Sequence, residues 1–275
     1  MSMTHKSLIY SLLLAVLLVY LFVSAPPPLA ENTRGKTIAT RIALQMLQQE
    51  NALVRELYTK EIVGEGKKRN IQFSEDWKQD DVHAGLLPAQ FLRETARYLE
   101  RSKFRLGLFL GSDYAINQAN QFDGEQKTMF EQMKLTRKPV YFYYPDAQRY
   151  THMFPDIAVA KACVTCHNDH KESPKSNWQL NDVMGATTWT YPQENITVDD
   201  FLLMLVALHE GFREAYKQFL QEMRHMPTPP QIGELWPRDG FYVPSESVFM
   251  REVSRRSSMQ TLNGLMLSLA ESEGS

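Results

Sequence analysis

The two cysteines of this chain, Cys163 and Cys166, constrain its fold more than any other feature of the sequence. No third cysteine is present, so no disulfide framework holds the chain, and its 275 residues depend on a hydrophobic core. Hydrophobic residues make up 43% of the chain, which is enough for one sizeable core. Whatever chemistry the two cysteines perform, they perform it together.

Residues 163–167 read C-x-x-C-H, the attachment signature of a c-type haem. In this arrangement the two thiols add across the two vinyl groups of the porphyrin. The short connection between them then brings the next residue, His167, to the iron as its proximal ligand. The sequence therefore predicts one haem c, bound covalently by Cys163 and Cys166 and ligated by His167.

Three alternatives to a haem were weighed for this motif. A thioredoxin-like redox pair lacks the expected βαβ context and leaves His167 unexplained. A zinc site could use Cys163, Cys166, His167 and His170. However, Cys166 and His167 are adjacent in the chain, which makes a tetrahedral arrangement of the four ligands difficult. A chance match is the third alternative. The two cysteines of this motif are the only cysteines in the chain, which favours the haem over these alternatives.

The distal iron ligand is not specified by any second motif. Two candidates for the distal ligand are His152 and Met153, which lie on a predicted strand. Four further possible ligands are Met129, Met133, His83 and His170. Methionine on such a face is more often core filler, and a lone histidine is more often solvated or hydrogen-bonded. Thiolate is excluded because no cysteine is left, and an open or water-filled sixth position is an alternative.

The N-terminal run Ser7 to Val23 is uncharged and rich in leucine and valine. Its length lies between a signal-peptide core and a full membrane span. The Val23-Ser24-Ala25 step resembles a cleavage site, but Pro26 follows directly, which favours an uncleaved anchor over a cleaved signal peptide or a buried helix. We expect a single-pass inner-membrane protein with the bulk of the chain in the periplasm.

The pattern of apolar residues predicts a mixed organisation after residues 1–30, the anchor or signal segment. A long helix is predicted from Asn32 to Val63, ended by Gly64 and Gly66. Strands are predicted at 104–110, 140–144, 149–154 and 183–191, with Gly185 as a bulge or close-approach point. Helices are predicted at 89–101 and 125–135, with one turn at 159–165. A capping box at 197–200 opens a helical, proline-rich extension over 193–275.

Several segments resemble the PAS-like periplasmic haem-c binding domain family, whose members occur alone and in front of histidine kinases, nucleotide cyclases and chemoreceptors. The resembling segments are 163–168, Ser173-Pro174-Lys175, Trp178, 181–183 leading to Gly185, 55–60, 87–91 (with Gln90 departing), 104–106, and the pair Asn117 and Asn120. The resemblance covers about Lys36 to Tyr191. It implies an α+β domain over 31–192, a PAS-like antiparallel sheet flanked by helices, with the haem beside the sheet.

The function expected from these features is a membrane-anchored mono-haem module that senses redox state or a small ligand. The alternative is an electron-transfer cytochrome subunit docked to a membrane complex. We expect no enzyme, because no nucleophile with a base, paired carboxylates or phosphate loop stands out, although an open iron beside a histidine could give peroxidase-like chemistry.

A protein partner is expected in addition to the membrane, which the N-terminal helix enters. Residues 193–275 are predicted to bind a membrane or periplasmic protein or a second copy of the chain, with Trp236, Phe241 and Tyr242 exposed between prolines. Fold-back of this segment onto the chain's own core is the alternative. The formal net charge of -2 gives no electrostatic reason to expect nucleic acid.

Overall fold

The computed structural model describes Leu14 and residues 35–159, 161–237 and 242–257. Apart from Leu14, the predicted anchor lies outside the described residues, as do Phe241 and the chain after 257. The chain divides into two compact units, 1–36 and 37–275, and the helices and strands below belong to the second. No helix within the described ranges is long and apolar enough to cross a membrane.

The predicted long helix is present, but both of its ends differ from the prediction. Strand β1 (Thr37–Ala39) precedes helix α1 (Thr40–Leu57), which continues as a π-helical segment (Tyr58–Val63) and helix α2 (Gly64–Lys68). Residues 37–39 are not helical because they pair with a strand late in the chain. Gly64 and Gly66 do not end the helix. Gly66 instead admits the Phe73 ring, which a Cβ at this position would meet at 3.0 Å.

An antiparallel sheet of four strands forms the centre of the domain. Its members, in the spatial order β4-β7-β6-β5, are β4 (Gly107–Gly111), β5 (Val140–Tyr144), β6 (Arg149–Ile157) and β7 (Val183–Tyr191). The predicted strands at 140–144 and 183–191 are confirmed. The strand predicted from Phe104 begins only at Gly107, because Arg105 has a φ of 52° and cannot continue an extended strand. A short parallel pair, β2 (Phe73–Ser74) and β3 (Gly85–Leu86), lies apart from this sheet.

Helices flank the sheet, which confirms the predicted α+β class. They are α3 (Pro88–Glu100), α4 (Gly124–Thr136), α5 (Lys161–Asp169), α6 (Val198–His225) and α7, which occupies residues 246–257. The remaining strands are β8 (Asn195–Thr197), paired with β1, and the parallel pair β9 (Gln231–Gly233) and β10 (Tyr242–Pro244). The single turn predicted at 159–165 is in fact the longer helix α5.

The two faces of the sheet carry different layers, because alternate residues of a strand point to opposite sides. His152, Phe154 and Trp189 face α1 and the main hydrophobic core. Met153 and Ala186 face α4 and join a smaller cluster around Phe130. The main core therefore lies between the sheet and helices α1, α3 and α6, and the small cluster lies under α4.

Gly185 is a close-approach point, as predicted. A Cβ at this position would lie 2.5 Å from the carbonyl oxygen of Gly111 on the neighbouring strand β4. The register of the opposite strand shifts between Asp156 and Ile157, so the irregularity also lies at this end of β6 and β7. Both features occur where the chain leaves the sheet to form α5.

The segment after residue 192 folds back onto the domain. Thr197 caps α6, and its Oγ1 accepts a hydrogen bond from the backbone N–H of Asp200 at 3.1 Å, which confirms the capping box. One face of this helix is fully buried in the main core, at Leu208, Phe212, Ala215, Phe219 and Met223. Of the two possibilities for this segment, the structure shows fold-back. Binding of a further partner stays a prediction.

The proline-rich stretch and α7 are held by specific contacts with the domain. Phe249 stacks on Tyr216 at 3.9 Å between ring centroids. The indole N–H of Trp236 donates to Glu61 at 2.6 Å, and Arg256 forms an ion pair with the same glutamate at 2.7 Å. Trp236 and Tyr242, predicted to be exposed, are half-buried.

Truncating a buried side chain of α6 tests whether this helix completes the core. We expect Phe212→Ala to lower the free energy of unfolding by about 3–5 kcal/mol, because it leaves a cavity beside Phe91. Leu202→Ala, on the same helix but 45% exposed, is the matched control and should change it by less than about 1 kcal/mol. Urea unfolding gives both values. Equal, small losses for the two variants would show that α6 does not share the core.

Candidate functional site

Helix α5 lies in an excursion from the sheet, a segment that leaves after β6 and returns at β7. Backbone hydrogen bonds join the two ends of this excursion. The backbone N–H of Ala158, just after β6, donates to the Asp182 carbonyl at 2.9 Å. The N–H of Asn181 donates back to the Ala158 carbonyl at 2.9 Å. Asn181 adopts a φ of 72°, which turns the chain into β7. The motif-bearing segment is thus anchored at its base by the ends of β6 and β7.

The helical conformation of α5 brings the three predicted site residues together. Cys166 and His167 follow Cys163 by three and four residues, so the three side chains share one side of the helix. Both cysteines are free thiols; Cys163 is half-buried and Cys166 is exposed. Two accessible thiols beside an imidazole form the donor set that a c-type haem requires, so these residues fit the group.

His167 is half-buried, and burial lowers the pKa of its imidazole. The carboxylates of Glu75 and Asp156 oppose this shift, while His170 lowers the pKa further. The net direction favours the neutral imidazole at pH 7, which is the form that ligates a metal. Electrostatics at this position therefore suits the proximal role predicted for His167.

The carboxylates around His167 come from distant parts of the chain and were missed by sequence reasoning. Asp156, at the end of β6, pairs with Arg55 of α1 at 3.2 Å, and Arg55 also donates to Thr187 at 3.1 Å. Glu75 follows β2 and lies 3.6 Å from His170. Arg55 belongs to a resembling segment, but no sequence signal links Glu75 or Asp156 to the motif.

Asn168, next to His167, clamps the following loop onto α5. Its Nδ2 donates to the Trp178 carbonyl at 3.1 Å, and its Oδ1 accepts from the Trp178 N–H at 2.8 Å. The side chain of Asn168 thus satisfies both the backbone N–H and the backbone carbonyl of Trp178. The loop after the motif is therefore coupled directly to the residue beside the predicted iron ligand.

The two distal-ligand candidates, His152 and Met153, lie on opposite faces of the sheet. His152 is buried, with its Nδ1 3.1 Å from the Arg41 carbonyl oxygen and its ring 4.1 Å from that of Phe154. Met153 is fully buried in the small cluster under α4. A haem held on one face can meet only one of them, and both are packed away from the surface where Cys166 is exposed. Their role as ligands stays a prediction.

The other candidates for the distal ligand lie on helix α4 or in loops. Met133 is buried in the small cluster, Met129 is half-buried and His83 is exposed. The Nδ1 of His170 accepts a hydrogen bond from the Glu172 N–H at 3.1 Å. Within 35–159, 161–237 and 242–257, no group of three or more His, Cys, Asp or Glu side chains is arranged to hold a metal ion.

Comparison with known proteins identifies one family. Residues 34–192 match the family model described as Tll0287-like, which is a periplasmic haem-binding sensory domain. No curated protein and no solved structure matches the chain. The match confirms the predicted haem-binding sensory class and nearly coincides with the resemblance seen over Lys36 to Tyr191. The family match ends at 192, whereas the hydrophobic core continues through α6 and α7.

The burial of His152 predicts a specific dependence of stability on pH. Burial lowers the pKa of His152 to about 4, whereas the unfolded chain has the ordinary value of about 6.5. The unfolded state therefore binds more protons between these values, and the free energy of unfolding falls as the pH falls from about 6.5 to about 4. The loss from this residue is at most about 3 kcal/mol.

Urea unfolding at pH 7 and pH 4.5 measures this loss. His152→Gln should reduce the difference between the two pH values, because glutamine has no proton to gain. His83→Gln, which changes an exposed histidine, is the control and should leave the difference unchanged. If His152→Gln keeps the full pH dependence of the wild type, the loss has another source.

Proposed function

Because the chain belongs to the Tll0287-like family, we propose that it is a membrane-anchored periplasmic sensory module with one covalently bound haem c. Cys163 and Cys166 would form the two thioether bonds to the haem, and His167 would be the proximal ligand. The observation that carries the proposal is the arrangement on α5, where two free thiols and a neutral-favouring imidazole share one side of a helix inside the matched region. The bound haem would supply an iron that changes oxidation state and takes small ligands.

The residues around the motif support a sensory role over an electron carrier. Dedicated carriers usually keep both axial positions filled, so that little rearrangement accompanies electron transfer. Here His167 lies on the helix that carries the motif, while His152 and Met153 are engaged in packing on opposite faces of the sheet. A sixth position that is open or weakly held allows a small ligand to bind. The chain's role is then to report that event, not to catalyse a reaction.

The proposed signal leaves the module through contacts outside the cytoplasm. Ser7 to Val23 holds the module at the inner membrane, with the bulk of the chain in the periplasm. A membrane or periplasmic protein, or a second copy of the chain, reads the state of the haem domain through residues 193–275. The fold-back of α6 supports this route, because the helix contacts the same core as α1. A change at the haem can therefore reach the C-terminal segment through packed side chains.

Covalent attachment is tested by expressing the chain with a cytochrome c maturation system. The denatured protein should retain haem on a peroxidase-stained gel, because thioether bonds survive denaturation. The double variant Cys163→Ser/Cys166→Ser should give a colourless band. His170→Gln is the control and should stain like the wild type, since His170 lies outside the attachment triad. A colourless wild-type band, or zinc recovered in place of haem, would contradict the proposal.

Membrane retention is tested by the mass of the purified chain. An uncleaved anchor predicts that the intact mass includes the N-terminal residues, because Pro26 is unfavourable beside the best cleavage step. The protein should also sediment with membranes until detergent is added. A mature chain that starts near Pro26 or Glu31 would refute the anchor and leave the haem assignment untouched.

A further inference from the structure

A cleft opens beside the small cluster, between α4 and the loop that follows the motif. Its volume is about 270 Å³. Its walls include three aromatic and three basic side chains, Tyr114, Phe130, Trp178, Lys134, Arg137 and Lys175. Neither the fold nor the haem attachment requires basic residues to gather at this place.

The charges of the cleft are only partly compensated. Lys134 pairs with Asp113. Arg137 donates to the Asn181 carbonyl at 2.7 Å, and Lys175 donates to the Asn177 side chain at 2.6 Å, both uncharged acceptors. Neither of these two cations forms an ion pair with another described residue. Asp182 also belongs to the cleft wall, and its carboxylate accepts a hydrogen bond from the Gln179 N–H at 2.9 Å.

Trp178 adds a buried donor that has no acceptor. It lines the cleft and is 6% exposed, yet its indole N–H finds no hydrogen-bond partner among the described residues. A buried donor without a partner costs free energy, and a shift of Trp178 that brings this N–H to an acceptor on a ligand in the cleft would remove that cost. Two cations without carboxylate partners and an unpaired N–H together suit the oxygens of a carboxylate group.

The aromatic residues indicate what else the ligand carries. Tyr114 packs edge-on against Trp178, with 5.8 Å between ring centroids. Lys175 Nζ lies 4.6 Å from the centre of the Trp178 ring, so the cation is held over the aromatic wall. A planar apolar group can pack against Tyr114 and Phe130 while its carboxylate meets Lys175.

We propose that this cleft binds the carboxylate of an organic ligand and that Trp178 transmits its occupancy to His167 through Asn168. The second half of the proposal rests on the proposed haem function. Both backbone groups of Trp178 are bound by Asn168, so a ligand that moves Trp178 also moves the end of α5. The carboxylate has two sources, a soluble organic acid or a propionate of the haem itself.

Isothermal titration of the full-length haem-loaded protein tests binding, with benzoate as the probe at fixed ionic strength. Benzoate should bind, whereas benzamide, its neutral isostere, should not. Lys175→Gln and Trp178→Phe should each weaken benzoate binding about tenfold, because each removes one donor. Lys171→Gln changes an exposed lysine of the same loop that does not line the cleft, and it should bind benzoate like the wild type.

Coupling is read from the reduction potential of the haem. Benzoate should shift the potential of the wild type, and Asn168→Ala should bind benzoate but lose the shift. If a propionate of the haem fills the cleft, benzoate will not bind. In that case Lys175→Gln will shift the reduction potential of the haem in the absence of benzoate, whereas Lys171→Gln will leave it unchanged. Equal binding of benzoate and benzamide, or no binding together with no change in Lys175→Gln, would overturn the proposal. The peroxidase-stained gel reports haem attachment independently of each outcome.

Discussion

Tyr58 lies where helices α1, α3 and α6 meet, and its contacts join these three helices. Its ring stacks on Phe91 of α3 at 4.3 Å and meets the edge of Phe219 of α6 at 5.9 Å. Its hydroxyl donates to the Leu86 carbonyl at 2.8 Å, and burial raises the pKa of this phenol well above its usual value. One residue thus joins the first helix of the matched family region to a helix that lies beyond it.

Fixing α1 in this way also positions the candidate site. One turn before Tyr58, Arg55 reaches the ends of β6 and β7 and pairs with Asp156, whose charge acts on His167. The excursion that carries α5 is closed at the same end of the sheet, and Asn168 ties its return loop to the helix. Core packing therefore determines the surroundings of a motif that lies near the surface.

Local patterns predicted much of this architecture. Residues that favour extended backbone predicted the strands at 140–144 and 183–191, and the capping box predicted the start of α6. The three residues proposed to hold the haem were predicted from the spacing of the motif alone. The long-range parts could not be predicted, because nothing local shows that Thr37 pairs with Thr197 or that Glu75 approaches the motif. A positive φ at Arg105 likewise has no signal in a non-glycine residue.

We propose that His167 would be the protein ligand held firmly to the iron, which would leave the sixth position available for sensing. Visible spectroscopy of the reduced, membrane-reconstituted protein with and without carbon monoxide tests this proposal. We expect a shift of the Soret band on addition of the gas, because the sixth position would be open or weakly held. An unchanged, six-coordinate spectrum in both oxidation states, with fast electron exchange to a donor, would contradict it and establish an electron carrier.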